Sequence, residues 1–183
     1  MTSGLVQVYT GEGKGKTTCA LGAGLRAAGH GLEVLMISFM KAKIAMRNGG
    51  AEINYGEFRS TEQIPNFTII PVGRETFVDK ENPDPIDIEM AQNGLRLAQE
   101  AIRDKKCDVL ILDEINVAVE WNLISLNEQL ELIHTKPEAM ELIMTGRYAQ
   151  QEVLDAANLV TEMKEVKHYY EGNGVQARKG FEY

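Results

Sequence analysis

Residues 5–18 constrain this chain more than any other stretch. Leu5 to Tyr9 is an apolar run that reads as a buried strand. Thr10-Gly11-Glu12-Gly13-Lys14-Gly15-Lys16-Thr17-Thr18 follows as a glycine-rich turn, and helix formers come next. A strand, a glycine loop ending in Gly-Lys-Thr and a helix, in that order, are the signature of a phosphate-binding loop. Glycines let successive backbone N–H groups turn inward around anionic oxygens. The start of the helix near Lys16 adds its positive dipole end. Lys16 brings a mobile positive charge to a phosphate, and the Thr17 hydroxyl is placed to hold Mg2+. The usual pattern has a glycine five residues before Gly15, where this chain has Thr10; its glycines stand at 11, 13 and 15. The shift marks an unusual phosphate loop. The competing reading is a tight strand-to-helix turn with incidental lysines.

Downstream, apolar runs alternate with helical patterns. Strands are expected at Glu33–Phe39, Phe67–Val72, Asp108–Asp113, Glu141–Thr145 and Leu159–Met163. Helices are expected at Lys16–Ala28, Leu123–His134 and Gln150–Ala157. Another starts at Asp84-Pro85, with Asp84 as N-cap, Pro85 at the first helical position, and Met90, Gly94, Leu97, Ala98 and Ala101 as its buried face. Residues 41–61 read as a long loop or short helix, residues 73–83 as irregular, and the tail from Lys164 to Tyr183 as polar and glycine-rich. Alternation of this kind predicts an α/β fold: a mainly parallel central sheet covered by helices on both faces, three layers in all. Ligands in such sheets bind at the carboxyl ends of the strands. The phosphate loop, Asp113-Glu114 and Thr145-Gly146-Arg147 all fall there.

The length of 183 residues suits a single domain spanning the chain. A net charge of −8 argues against a general nucleic-acid or anionic-membrane surface. The two cysteines, Cys19 and Cys107, and the three histidines, His30, His134 and His168, show no metal-ligand spacing. Free thiols fit a reduced, cytoplasmic setting. No secretory leader and no apolar run long enough to span a bilayer are visible.

Val109 to Leu112 followed by Asp113-Glu114 is an apolar strand ending in two acids. That is the Walker B pattern, in which a carboxylate meets Mg2+ directly or through water. Asp113 and Glu114 are thus metal candidates together with Thr17. Whether Glu114 binds metal or polarises a water is left open by the sequence, and so is a solvated carboxylate pair at a strand end. Arg147 can clamp a phosphate or pair on the surface; Lys14 can face the same anion or lie solvated.

Thr10 to Thr18, Leu112-Asp-Glu114, Thr145-Gly-Arg147, Val166-Lys-His168 and the ending Ala177-Arg-Lys-Gly-Phe-Glu-Tyr183 together resemble the ATP:corrinoid adenosyltransferases of the CobA/CobO/BtuR type. The resemblance covers nearly the whole chain and includes the shifted glycine. It implies a P-loop NTPase-like fold, a homodimer, and transfer of the 5′-deoxyadenosyl group of ATP to cobalt(I) of a corrinoid with release of triphosphate. A reductase supplying the electron is an expected partner. Carried onto this chain, Lys14, Lys16 and Glu114 serve catalysis, and Thr17, Glu114 and Asp113 serve Mg2+. Thr10, Gly11, Glu12, Gly13, Lys14, Gly15, Lys16, Thr17, Thr18 and Arg147 bind nucleotide. The family usually carries a Phe-x-Trp pair that displaces the lower cobalt ligand. Here that pair falls on Thr76 and Val78, so Phe77 between them is the expected aromatic, with Tyr55 and Phe58 as substitutes. Longer members also have an N-terminal extension over the site, of which this chain has almost none.

Two other classes stay open: a P-loop ATP hydrolase or kinase, and a nucleotide- and corrinoid-binding protein without turnover. A GTPase is disfavoured because Thr135-Lys-Pro-Glu138 ends in the wrong acid for guanine recognition. A thymidine-kinase-like protein is disfavoured because two cysteines cannot make its zinc site.

Overall fold

The computed structural model describes residues 3–46 and 52–183. In chain order the elements are β1 (Val6–Thr10), α1 (Lys16–Gly29), β2 (Val34–Phe39), β3 (Ile44–Met46), β4 (Glu52–Asn54), α2 (Gly56–Thr61), β5 (Phe67–Val72), α3 (Pro85–Asp104), β6 (Val109–Asp113), α4 (Ile115–Glu120), α5 (Leu126–Thr135), β7 (Glu141–Thr145), α6 (Gln151–Ala156), β8 (Leu159–Glu162) and α7 (Tyr169–Asn173). Six strands form one sheet in the order β5-β2-β6-β7-β1-β8, and every neighbouring pair is parallel.

The interior strands β2, β6 and β7 are apolar along most of their length because both faces are covered, whereas the edge strand β8 is exposed. Alternation then sorts the side chains. Val8, Ile37, Leu110, Leu112, Leu142 and Met144 face a core shared with α3, α4, α5 and α6. Tyr9, Met36, Val109, Ile111 and Ile143 face a smaller core under α1. A register slip of one residue would move each set to the opposite face, so burial itself fixes the pairing. Burying each Leu, Ile or Met contributes about 1.5–3 kcal/mol. The small residues of α1 bring the helix close to the sheet. A Cβ added to Gly24 would lie 2.8 Å from the Phe67 ring, so the helix seats against the sheet at a distance only glycine permits there.

The expected strands and helices are present, with local differences. On α3 the buried stripe is Ala91, Gly94, Leu95, Ala98, Ala101 and Ile102, while Met90 and Leu97 are half-buried. The stripe is thus centred about one residue later than expected. Asp84 caps α3 and its N–H donates to Asp87 Oδ2 (3.2 Å). α5 begins at Leu126 and not at Leu123, because Ser125 and Glu128 form a reciprocal capping box; Leu123 and Ile124 are buried in the turn before it. Helix α4 was not expected. Segment 41–61 holds a two-stranded antiparallel hairpin (β3, β4) and α2, with residues 47–51 outside the described ones. Among the described residues, no helix is long and apolar enough to cross a membrane.

Candidate functional site

β1 delivers the phosphate loop to the carboxyl end of the sheet. Thr10 is still strand and pairs with Glu162 of β8, so the sharp turn starts one residue later, at Gly11 (φ +94°). That accounts for the displaced glycine. The first half of the loop is also pinned under the end of β8. The Gly13 N–H donates to the Met163 carbonyl (2.6 Å) and the Met163 N–H to the Thr10 carbonyl (2.8 Å). A Cβ at Gly11 or Gly13 would come within 2.7 or 2.6 Å of that same carbonyl oxygen, so neither position admits a side chain.

Lys16 opens α1, and its ammonium lies across the loop, donating to the carbonyls of Gly11 and Gly13 at 2.7 Å each. Burial lowers its pKa, and the nearby Glu114 carboxylate opposes that shift. Anionic phosphate oxygens offer this ammonium charge-assisted partners in place of two neutral carbonyls.

Asp113, at the end of β6, is fully buried. Its Oδ1 accepts from the Thr17 hydroxyl (2.8 Å) and the Thr145 hydroxyl (2.7 Å), and its Oδ2 from Lys41 Nζ (2.7 Å). Thr17 therefore spends its hydrogen on Asp113, which leaves its oxygen lone pairs as acceptors. Glu114 follows in a left-handed conformation, φ 63° and ψ 15°, which costs a non-glycine residue about 1–2 kcal/mol. Its N–H donates to Thr145 Oγ1 (3.0 Å), and its carbonyl accepts from the Val117 and Ala118 N–H groups of α4. The strain turns Glu114 into the cleft while Asp113 stays behind it. Burial, and then the Asp113 charge, raise the Glu114 pKa.

Lys16, Thr17 and Glu114 line a cleft of about 1030 Å3. Its walls include the loop from Glu12 to Thr18, Lys41, Tyr55, Glu114 and Arg147. Arg147 is fixed by Glu12, through the carbonyl (3.2 Å) and the carboxylate (3.2 Å). The buried Asn116 amide holds the preceding turn by donating to the Gly146 carbonyl (3.2 Å), and Gln129 in turn donates to Asn116 Oδ1 (2.8 Å). The far wall is the C-terminal segment, including His168, Tyr169, Gln176, Phe181, Glu182 and Tyr183. Lys14 Nζ reaches it, donating to the Phe181 carbonyl (2.9 Å). Within the segment, Glu182 accepts from Tyr169 and Arg178, and the Arg178 guanidinium lies 5.0 Å from the Tyr169 ring centroid and 4.9 Å from that of Phe181.

The fold thus gathers residues 12–18, Glu114 and Arg147 around one cleft. Thr10 and Gly11 shape the loop from behind, and Asp113 lies beneath it. Phe77 is 60% exposed on the irregular segment before α3 and is not among the lining residues. Sequence reasoning missed Lys41 as a site residue, although it follows β2, the sheet neighbour of β6, at the ligand-binding end. It also missed the closing role of the tail, whose aromatics were the available signal.

The arrangement is suited to holding a polyphosphate: a glycine loop with two lysines, an arginine on the same cleft, and Thr17 with an ionisable carboxylate beside them. Comparison with known proteins points the same way. Residues 2–183 match the family described as ATP:corrinoid adenosyltransferase BtuR/CobO/CobP. The chain is 33% identical over 181 residues to a corrinoid adenosyltransferase of Sinorhizobium sp., covering 98% of this chain and 80% of that protein. It is 32% identical over 180 residues to the corrinoid adenosyltransferase of Escherichia coli K12, covering 98% of this chain and 86% of that one. It is also 32% identical over 181 residues to the corrinoid adenosyltransferase CobA of Salmonella typhimurium, with the same 98% and 86% coverage. A phosphate loop with its glycine displaced by one residue, facing an Asp-Glu strand end and closed by the tail, is here carried by a chain that belongs to the ATP:corrinoid adenosyltransferase family.

Proposed function

We propose that this chain is an ATP:corrinoid adenosyltransferase that moves the 5′-deoxyadenosyl group of ATP onto cobalt(I) of a corrinoid and releases triphosphate. The observation that carries this reading is the convergence of Lys14, Lys16 and Arg147 on one cleft beside the glycine loop, in a chain of that family. Cobalt(I) of the substrate is the nucleophile. The Co–C5′ bond forms as the C5′–O bond breaks, and the electron pair of the broken bond leaves on triphosphate. The protein need not supply a base; it has to align C5′ with cobalt and stabilise charge on the leaving group, the two large terms available for such chemistry.

Mg2+ fits the residues present. Thr17 turns lone pairs outward, Glu114 faces the cleft, and Asp113 fixes both through the hydroxyls it accepts from. Bound there, Mg2+ would supply divalent charge to the triphosphate oxygens. On the corrinoid side, Phe77 remains the proposed aromatic beside the lower face, and a reductase is the proposed electron source. A single domain, a homodimer and a cytoplasmic setting complete the reading. The dimer is supported by the exposed edge strand β8, where Leu159 and Val160 are 42% and 44% exposed, and the setting by the free thiols of Cys19 and Cys107.

The test is incubation with MgATP and chemically reduced cobalamin. Triphosphate should appear in step with a light-sensitive cobalt–carbon species. ADP and phosphate without alkylated corrinoid would make the chain a hydrolase.

A further inference from the structure

We propose that Lys41 is a tethered cation occupying the metal-facing side of Asp113, so that the cleft takes up a divalent ion only together with a polyphosphate. The inference rests on the reading that Thr17 and Glu114 hold Mg2+, and it adds the reason why the metal should not bind alone. Two adjacent acids at a strand end would ordinarily attract a divalent ion. Here the Lys41 ammonium donates to Asp113 Oδ2 at 2.7 Å, with the lysine side chain only 15% exposed. Met40, at φ 57°, turns the backbone just before it, and the Tyr55 ring lies 5.5 Å from the ammonium. The other oxygen of Asp113 is filled by Thr17 and Thr145. The Asp113 side chain is 0% exposed behind these three donors, and one negative charge of the pair is already matched by Lys41. Among the described residues no group of three or more His, Cys, Asp or Glu could hold a metal ion. A six-coordinate divalent ion on Thr17 and Glu114 would therefore draw its remaining oxygens from phosphate and water.

Equilibrium dialysis of Mn2+ against the whole protein tests this, with inorganic triphosphate as the probe. The wild type should retain Mn2+ at least about 100-fold more tightly with triphosphate than without it. Lys41→Met should raise the affinity without triphosphate at least about tenfold, since Asp113 Oδ2 becomes a ligand. Lys41→Arg should behave as wild type, and adding Asp113→Asn to Lys41→Met should abolish the gain. Wild-type protein binding Mn2+ equally well with and without triphosphate overturns the proposal without need of any variant. A Lys41→Met protein with unchanged Mn2+ affinity overturns the role of Lys41 alone. Failure of wild type to retain Mn2+ even with triphosphate overturns the metal site on which the proposal stands.

Discussion

Replacing Asp113 by Asn should destabilise the protein by about 3 kcal/mol, the lower end of the cost of removing one partner from a buried ion pair. The carboxylate accepts from Thr17, Thr145 and Lys41, and a side-chain amide can satisfy only part of that set. If its oxygen faces the two hydroxyls, its NH2 meets the Lys41 ammonium, donor against donor. If the amide is reversed, Thr17 and Thr145 must turn lone pairs toward the NH2, yet Thr145 Oγ1 already accepts the Glu114 N–H. Either way Lys41 loses its contact carboxylate. Glu114 still acts electrostatically on Lys41, which keeps the cost near the lower bound. For a chain of 183 residues each kcal/mol moves Tm by about 2–4 °C, so a fall of roughly 6–12 °C is expected. Urea titration and calorimetry of the ligand-free protein measure it. In a cycle with Lys41→Met, the double variant should lose at least about 1 kcal/mol less than the sum of the single losses. A loss below about 1 kcal/mol in Asp113→Asn, or strict additivity in the cycle, would refute the central position given to this carboxylate.

Lys16→Met should lower the adenosyl-transfer rate by roughly two to three orders of magnitude, as loss of one preorganised donor to developing negative charge does; single-turnover formation of the cobalt–carbon bond reports it, and a change under tenfold removes Lys16 from the transition state. Burial, and then Asp108, push the Cys107 thiol up to about 11 from its ordinary value of 9.0. Between those values the unfolded chain has released this proton and the folded chain keeps it, so stability falls as pH rises, by roughly 2–3 kcal/mol at the upper end. Cys107→Ala should flatten that slope in urea titrations from pH 9 to 11, and an unchanged slope would show that Cys107 does not cause it. Phe77→Ala, at a position 60% exposed, should change stability by less than about 0.5 kcal/mol. If Phe77 meets the corrinoid, the variant loses turnover of unreduced relative to pre-reduced corrinoid; an unchanged ratio takes Phe77 out of the site.

What could be read from the chain alone was whatever local chemistry and periodicity determine. Apolar runs such as Val109–Leu112 must be buried on both faces. Gly11 to Thr17 must turn a backbone around an anion, and Asp84-Pro85 must start a helix. These fixed the parallel sheet, the phosphate loop and the acidic strand end. Helix boundaries were weaker wherever a cap competes with an apolar run, as Ser125 and Glu128 do with Leu123 and Ile124. Strand order was not legible, because the interior strands are similarly apolar and only packing decides which neighbours which. That order sets β2 beside β6 and so brings Lys41 to Asp113, residues 72 apart in sequence. It also places Met163, beyond β8, against Gly13, and Lys14 against Phe181, 167 residues away. Local sequence supplied the reactive groups; long-range packing decided which charges meet, because ion pairing and close backbone approach depend on distance in space and leave no periodic trace along the chain.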